Sequence, residues 1–320
     1  MKRFILKLIL LLVLVISPLA IVNQLYIRTN YWKGENNVDK FTDIPYNIKL
    51  GNLGSSHGLF GFKYDNIHDI KCYNFALSSQ PYYYDLQILR KYIDHFEKKG
   101  VVIILISYFD ITRRPDYSKY RSRYYRILPK SSLDSWSLWE DVCYNKFPLL
   151  SAKMNILKII RDVPVETMSP YYNRTTFMDE KKLHDYCIEK HKGWTSPEGE
   201  KGKIGYDMNI SEISSMIDLC LTYELIPVLV TTPVTDVLNQ IYENDIDFFP
   251  TFEQFSIDLT SKYEGLIYLD YSRDEYFSNN HEFFSDGDHL NNIGAEEFTK
   301  TVIMDLRKKD LLKNNETANF

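Results

Sequence analysis

The chain has few cysteines. Cys72, Cys143, Cys187 and Cys220 are widely spaced in 320 residues and include no C-x-x-C pair. The seven histidines likewise fall at no metal-ligand spacing, so nothing reads as a zinc site and no cofactor is called for. One disulfide, Cys143 to Cys187, would suit an oxidising compartment, although separation in sequence does not establish it. Cys72 and Cys220 lie within or beside apolar runs and read as buried thiols. A basic excess is also missing: 38 Lys and Arg stand against 43 Asp and Glu, a net charge of −5. A phosphate backbone requires a cationic surface, which argues against nucleic acid as a partner. Internal repeats and low-complexity tracts are lacking as well.

What is present supports a large core. Hydrophobic residues make up 44% of the chain, enough to argue against wholesale disorder. Aromatic residues reach 15%, with 25 tyrosines. A tyrosine ring suits stacking on a flat sugar face, and a shared bias toward Tyr, Asn, Ile and Lys would give the same count.

From Phe4 to Val22 the only charge is Lys7. This run exceeds the ~7–15 apolar residues of a signal peptide. It nearly spans a ~30 Å hydrocarbon layer as a helix. Lys2, Arg3 and Lys7 gather at its start, the pattern of a cytoplasmic interface. Residues 1–24 therefore read as a cytoplasmic tip and single-pass anchor, with a cleaved signal and a buried core helix as the alternatives. The rest of the chain is then extracytoplasmic, periplasmic or at the cell surface.

A polar linker (25–45) precedes alternating strand and helix patterns over 46–310, and a polar tail (311–320) follows. Strands are expected at Ile48–Leu53, Ile70–Phe75, Val101–Ser107, Ile226–Thr232 and Leu266–Tyr271. Helices are expected at Tyr83–Lys98, Ser211–Tyr223, Thr251–Tyr263 and Asn292–Leu306. The run VVIILIS at Val101–Ser107 is apolar throughout, as a strand buried on both faces must be. The pattern predicts a flavodoxin-like three-layer α/β/α fold with a five-stranded parallel sheet in the order 2-1-3-4-5. Residues 112–205, rich in Tyr, Arg and Lys, break the rhythm and read as a helical insertion or cap rather than an independent domain.

Ligands in such sheets bind beyond the carboxyl ends of the strands. Two short motifs fall there. Leu53-Gly54-Ser55-Ser56-His57-Gly58 follows the first strand, and its small residues permit a sharp turn that lifts a serine over the sheet edge. A plain Gly-Ser turn would look the same. Ser285-Asp286-Gly287-Asp288-His289 follows the last strand, with a carboxylate three residues before a histidine. Asp286 can then hold the His289 ring while the ring takes a proton from a serine hydroxyl. The plainer alternative is a loop whose Asp286 or Asp288 caps the final helix. Together the two motifs outweigh either alone.

A Gly-x-Ser turn after strand one with a C-terminal D-x-x-H resembles the SGNH/GDSL hydrolase superfamily. That group includes esterases, lipases and membrane-linked proteins that O-acetylate bacterial polysaccharides. The resemblance covers about 46–110 and 211–306. It implies Ser56 as nucleophile, His289 as general base and Asp286 as the orienting carboxylate, with Ser55 and Asp288 as the neighbouring rivals. The family's second-block glycine, whose N–H lines the oxyanion hole, corresponds to Ser79. Its third-block Asn corresponds to Phe109 in Ser107-Tyr108-Phe109-Asp110, and Phe has no donor. Asn52, Gln80 and Ser107 are the expected additional groups around the oxyanion. The resemblance further implies a carbohydrate or acylated glycan substrate. For transfer rather than hydrolysis, it implies an integral-membrane acyltransferase partner that supplies the acyl group. The alternatives are a non-catalytic envelope protein that binds or helps assemble glycan, and a lipid-acting esterase.

Three secondary features complete the reading. His57 either contacts substrate or simply begins a helix, and His281 lacks a carboxylate at the matching spacing. Arg113, Arg114, Lys119, Arg121, Arg123, Arg126 and Lys130, interleaved with Tyr117, Tyr120, Tyr124 and Tyr125, form either an anionic-glycan or lipid-headgroup contact or a solvated mixed surface. Sequons stand at Asn173, Asn209 and Asn315.

Overall fold

A computed structural model describes residues 1–107, 109–118, 121–152, 154–163, 178–194, 199–245 and 248–312. In chain order the elements used below are α1 (Lys2–Tyr26), β1 (Ile48–Asn52), α2 (Ser56–Gly61), β2 (Cys72–Asn74), α3 (Tyr82–Tyr92), β3 (Phe96–Leu105) and α4 (Ile156–Asp162). There follow α5 (Glu180–Trp194), α6 (Gly199–Thr222), β4 (Ile226–Thr231), α7 (Asp236–Glu243), α8 (Phe248–Lys262), β5 (Ile267–Asp270) and α9 (Asn292–Lys308).

The five strands form one all-parallel sheet in the order β2-β1-β3-β4-β5, with helices on both faces. Period-two alternation divides the strand residues between the faces. Leu50, Val101, Ile103, Leu105, Val228 and Val230 pack with Phe298, Val302 and Leu306 of α9 in one buried cluster. On the other face α6 packs on β3, β4 and α3. All five strand ends point toward the same edge, which collects the loops after β1, β2, β3 and β5.

Boundaries differ from the sequence pattern at several points; the helix expected from Ser211 begins at Gly199. The helix expected over Tyr83–Lys98 ends at Tyr92, and β3 begins at Phe96. Phe96 pairs in register with Ile48 and lies over Gly51, where any Cβ would meet the ring at 2.6 Å. Tertiary packing therefore converts the last helical-looking turn into strand. A further difference is the insertion. The chain divides into two compact units, one from Met1–Asp43 with Tyr117–Pro170 and the other from Ile44–Asp116 with Tyr171–Phe320. The single block expected at 112–205 is thus shared between them.

In the first unit the last turn of α1 is a packing element. Val22, Leu25 and Tyr26 join Trp32, Leu149 and Ile159 in a small core, and Asn23 Oδ1 accepts the Leu149 N–H at 2.9 Å. The Tyr/Arg-rich stretch is divided between interior and surface, with Arg114, Arg126 and Lys130 exposed. Arg123 is 1% exposed, Tyr124 and Tyr125 are buried, and Arg121 is held by Asp134 at 2.6 Å. Lys119 and Tyr120 lie outside the described residues, as do the sequons at Asn173 and Asn315 and the tail from 313. All four cysteines are free thiols, so the Cys143–Cys187 bridge is not formed. Cys220 is fully buried, and Cys72 is only partly covered.

Candidate active site

Gly54 sets up the first loop. Its φ of +128° is a conformation that side chains rarely adopt, and a Cβ there would press on Leu105 at 2.7 Å. Its N–H donates to Asp85 Oδ1 at 2.8 Å, and its carbonyl accepts the Leu77 N–H at 3.2 Å. The chain then turns into α2, whose first residue is Ser56.

The second loop closes on itself. Ser285 N–H donates to the His289 carbonyl at 2.9 Å, and Asn291 N–H donates to the Phe283 carbonyl at 2.8 Å. Asn291 caps α9 by accepting the Ile293 and Gly294 N–H groups at 2.9 and 3.0 Å, so neither Asp286 nor Asp288 is the cap. Asp286 serves the loop instead. Its Oδ1 accepts the His289 N–H at 2.8 Å and the Asp288 N–H at 3.1 Å.

The two loops meet. Ser56 Oγ is 2.8 Å from His289 Nε2, and His289 Nδ1 is 2.9 and 3.0 Å from the two Asp286 oxygens. A carboxylate at Nδ1 puts the ring proton there, which leaves the Nε2 lone pair facing the serine hydroxyl. Phe60 meets the His289 ring edge-on at a centroid distance of 5.9 Å and limits its rotation.

Behind this series lies a second carboxylate. Asp288 has a fully buried side chain, accepts from Tyr186 Oη at 2.8 Å, pairs with Lys190 Nζ at 2.7 Å and receives His57 Nε2 at 3.2 Å. Burial opposes its charge, yet His289, His57 and Lys190 together hold it well below the ordinary carboxylate range. His57 is buried and stacked between His289, at 4.8 Å, and Phe109, at 5.5 Å. Burial outweighs the Asp288 hydrogen bond and lowers its pKa, so the ring is neutral near pH 7. With Nε2–H donated to Asp288, Nδ1 is an acceptor that has no partner among the described residues. His57, Asp288 and His289 place donor atoms within 4.8 Å of one another, a set that could hold a metal in composition. The cation already on that carboxylate is Lys190.

Tyr186 and Lys190 were not singled out from sequence. Their signal was an i, i+4 pair on one face of α5. The approach of α5 requires Gly287, where a Cβ would lie 2.6 Å from Cys187 Sγ. Burial pushes that thiol up to about 12. His281 is turned away and pairs with Asp236 at 2.5 Å.

The expected oxyanion donors behave unequally. Ser79 sits in the left-handed region at φ +52°, a conformation that glycine adopts at lower cost. Neither its N–H nor that of Ser56 has an acceptor among the described residues. Asn52 and Gln80 require correction. Asn52 Nδ2 donates to the Gly58 carbonyl at 3.2 Å and to Asn74 Oδ1 at 3.1 Å. Gln80 Nε2 donates to Asp85 Oδ1 at 2.6 Å. Both amides therefore brace the loops internally. Ser107 is also structural, since its Oγ accepts the Phe109 N–H at 3.4 Å and its own N–H meets Tyr82 Oη at 3.3 Å. Phe109 is buried against His57, Tyr242 and Phe248.

No family model and no curated protein matches the chain in sequence. Among solved structures, it is similar to a candidate acylhydrolase from Bacteroides fragilis at 10% identity and a TM-score of 0.41, covering 87% of this chain and 97% of the other. It is also similar to a candidate platelet activating factor from Streptococcus pneumonia, at 11% identity and 0.42, covering 92% and 99%. A third is the lipase Lip_vut3 from a goat rumen metagenome, at 10% and 0.35, covering 80% and 96%. Likeness this remote decides nothing about activity.

Proposed function

We propose that this chain is a serine-dependent acyl-ester hydrolase or O-acyltransferase that acts on a cell-envelope or extracellular polysaccharide. The observation that carries the reading is the unbroken hydrogen-bond series Ser56–His289–Asp286 at the carboxyl edge of the sheet. Ser56 Oγ attacks the ester carbonyl as His289 Nε2 takes its proton, and Asp286 stabilises the imidazolium that forms. The Ser56 and Ser79 N–H groups are the donors for the developing oxyanion. The protonated His289 then gives its proton to the departing alkoxide. Water resolves the acyl-enzyme in hydrolysis, and a sugar hydroxyl does so in transfer. In transfer the acyl group, acetyl by the SGNH resemblance, would come from an integral-membrane acyltransferase partner.

Supporting the envelope location, α1 is long and apolar enough to cross a membrane, with Lys2, Arg3 and Lys7 at one end. The positive-inside bias then leaves the α/β unit outside the cytoplasm. The test is labelling of the full chain in detergent with a fluorophosphonate probe, beside hydrolysis of a chromogenic acetyl ester. Wild type is expected to label and turn over, and Ser56→Ala to lose about 10⁶ in kcat. Equal signals from the two proteins would end the enzymatic reading and leave a glycan-binding envelope protein in its place. Faster cleavage of medium-chain esters than of acetyl sugars would point instead to a lipid substrate.

A further inference from the structure

We infer that α4 and the turn before it form a foot seated in the membrane interface beside α1, an inference that rests on the membrane-anchor reading above. As a 25-residue helix, α1 is about 38 Å long, longer than a hydrocarbon layer of about 30 Å. The excess falls at its end. Leu19 and Ile21 are exposed, whereas Asn23 and Tyr26 are buried against protein. The small core that covers them includes Ile159 of α4. The rest of that short helix is turned outward: Ile156 is 52% exposed, Leu157 63% and Ile160 56%, and Leu150 of the preceding turn is 54% exposed.

Helical geometry makes this a pattern. At 3.6 residues per turn, Ile156, Ile160 and Leu157 span an arc of about 100°, bordered on one side by the buried Ile159 and on the other by Arg161 and Lys158. Large aliphatic side chains contiguous on a surface mark a partner. The partner here is lipid, because the arc belongs to a helix that packs through Ile159 in one small core with the last turn of a membrane-length helix. The bordering cations also suit headgroup phosphates, which their long stems can reach. A face made for a protein would not need to begin where α1 leaves the bilayer.

The test uses the full chain in phosphatidylcholine/phosphatidylglycerol vesicles. Single cysteines at Ile156, Leu157 and Ile160 carry an environment-sensitive fluorophore, and the unsubstituted chain labelled in parallel supplies the background. Leu12→Cys reports on the anchor. Since all these positions are exposed, the substitutions leave the cores intact. The expected result is blue-shifted emission at 156, 157 and 160, quenched about twofold by lipids spin-labelled near the headgroup, and quenching at 12 by lipids spin-labelled in mid-chain. Quenching at 12 without quenching on α4 overturns the foot and leaves the anchor standing. Blue-shifted α4 emission that lipid spin labels do not quench overturns it in favour of a protein partner or second copy. Loss of quenching at 12 as well removes the anchor itself.

Discussion

The two sides of the Ser56 hydroxyl are built differently. On the histidine side, Asp286 holds the His289 ring and two loop N–H groups, Asp288 is held by Tyr186, Lys190 and His57, and His289 Nε2 meets Ser56. On the opposite side, the amide side chains expected to hold an oxyanion are committed elsewhere, and the N–H groups of Ser56 and Ser79 have no acceptor among the described residues. Proton transfer needs a ring and a carboxylate in fixed order, so that side must be written in side chains. Oxyanion stabilisation needs only a donor, and the backbone has one at each residue except proline. The second side can therefore drift in sequence while the first cannot.

Substitutions can break this contrast. After the loss at Ser56, the largest effect is expected from Asp286→Asn, which keeps the shape but loses the carboxylate that fixes the His289 tautomer. The chromogenic ester assay should show kcat lower by about 10⁴. Next comes Phe109→Asn, which installs the amide that the SGNH resemblance expects. Because Phe109 packs on His57, Tyr242 and Phe248, unfolding by urea should show a loss of about 3 kcal/mol, and kcat should not rise. A gain in kcat would mean that the backbone hole is incomplete.

A smaller effect should follow pH. The folded-state pKa of His57 lies below the ordinary 6.5. As pH falls through 6.5 the unfolded chain takes up a proton that the folded chain refuses, so stability present above that value is progressively lost. Melting temperature should decline between pH 7 and about 5 in wild type and decline less in His57→Gln. The smallest effect is at Ser79. Ser79→Gly relieves a left-handed backbone and keeps the N–H, so it should stabilise by about 1 kcal/mol with unchanged kcat. A drop in kcat there would show that the serine hydroxyl takes part.

How much of this was legible depended on distance along the chain. The sheet order followed from alternation and crossover rules, and the Asp286–His289 pair from a spacing of three residues. The start of β3 was hidden because Ile93 and Phe96 continue a helical period that the pairing of Phe96 with β1 overrides. The partners of Asp288 were hidden for a similar reason. Tyr186 lies 102 residues away in a segment whose pattern gave it no place. Asn52 and Gln80 were misplaced because an amide side chain looks alike in sequence whether it faces a substrate or a neighbouring carbonyl.

One buried side chain bears on how the protein is made. Asn209 sits in α6 at 3% exposure, and its amide nitrogen donates to the carbonyls of Asp110, Ile111 and Arg113 at 2.7, 3.0 and 3.0 Å. It is also the acceptor of the sequon Asn209-Ile210-Ser211. A glycan on that nitrogen is incompatible with the folded loop after β3, so in a glycosylating secretory host sugar transfer and folding compete for one atom. Ser211 is exposed, and changing it removes the competition without touching the amide, which makes it the position to alter before choosing such a host.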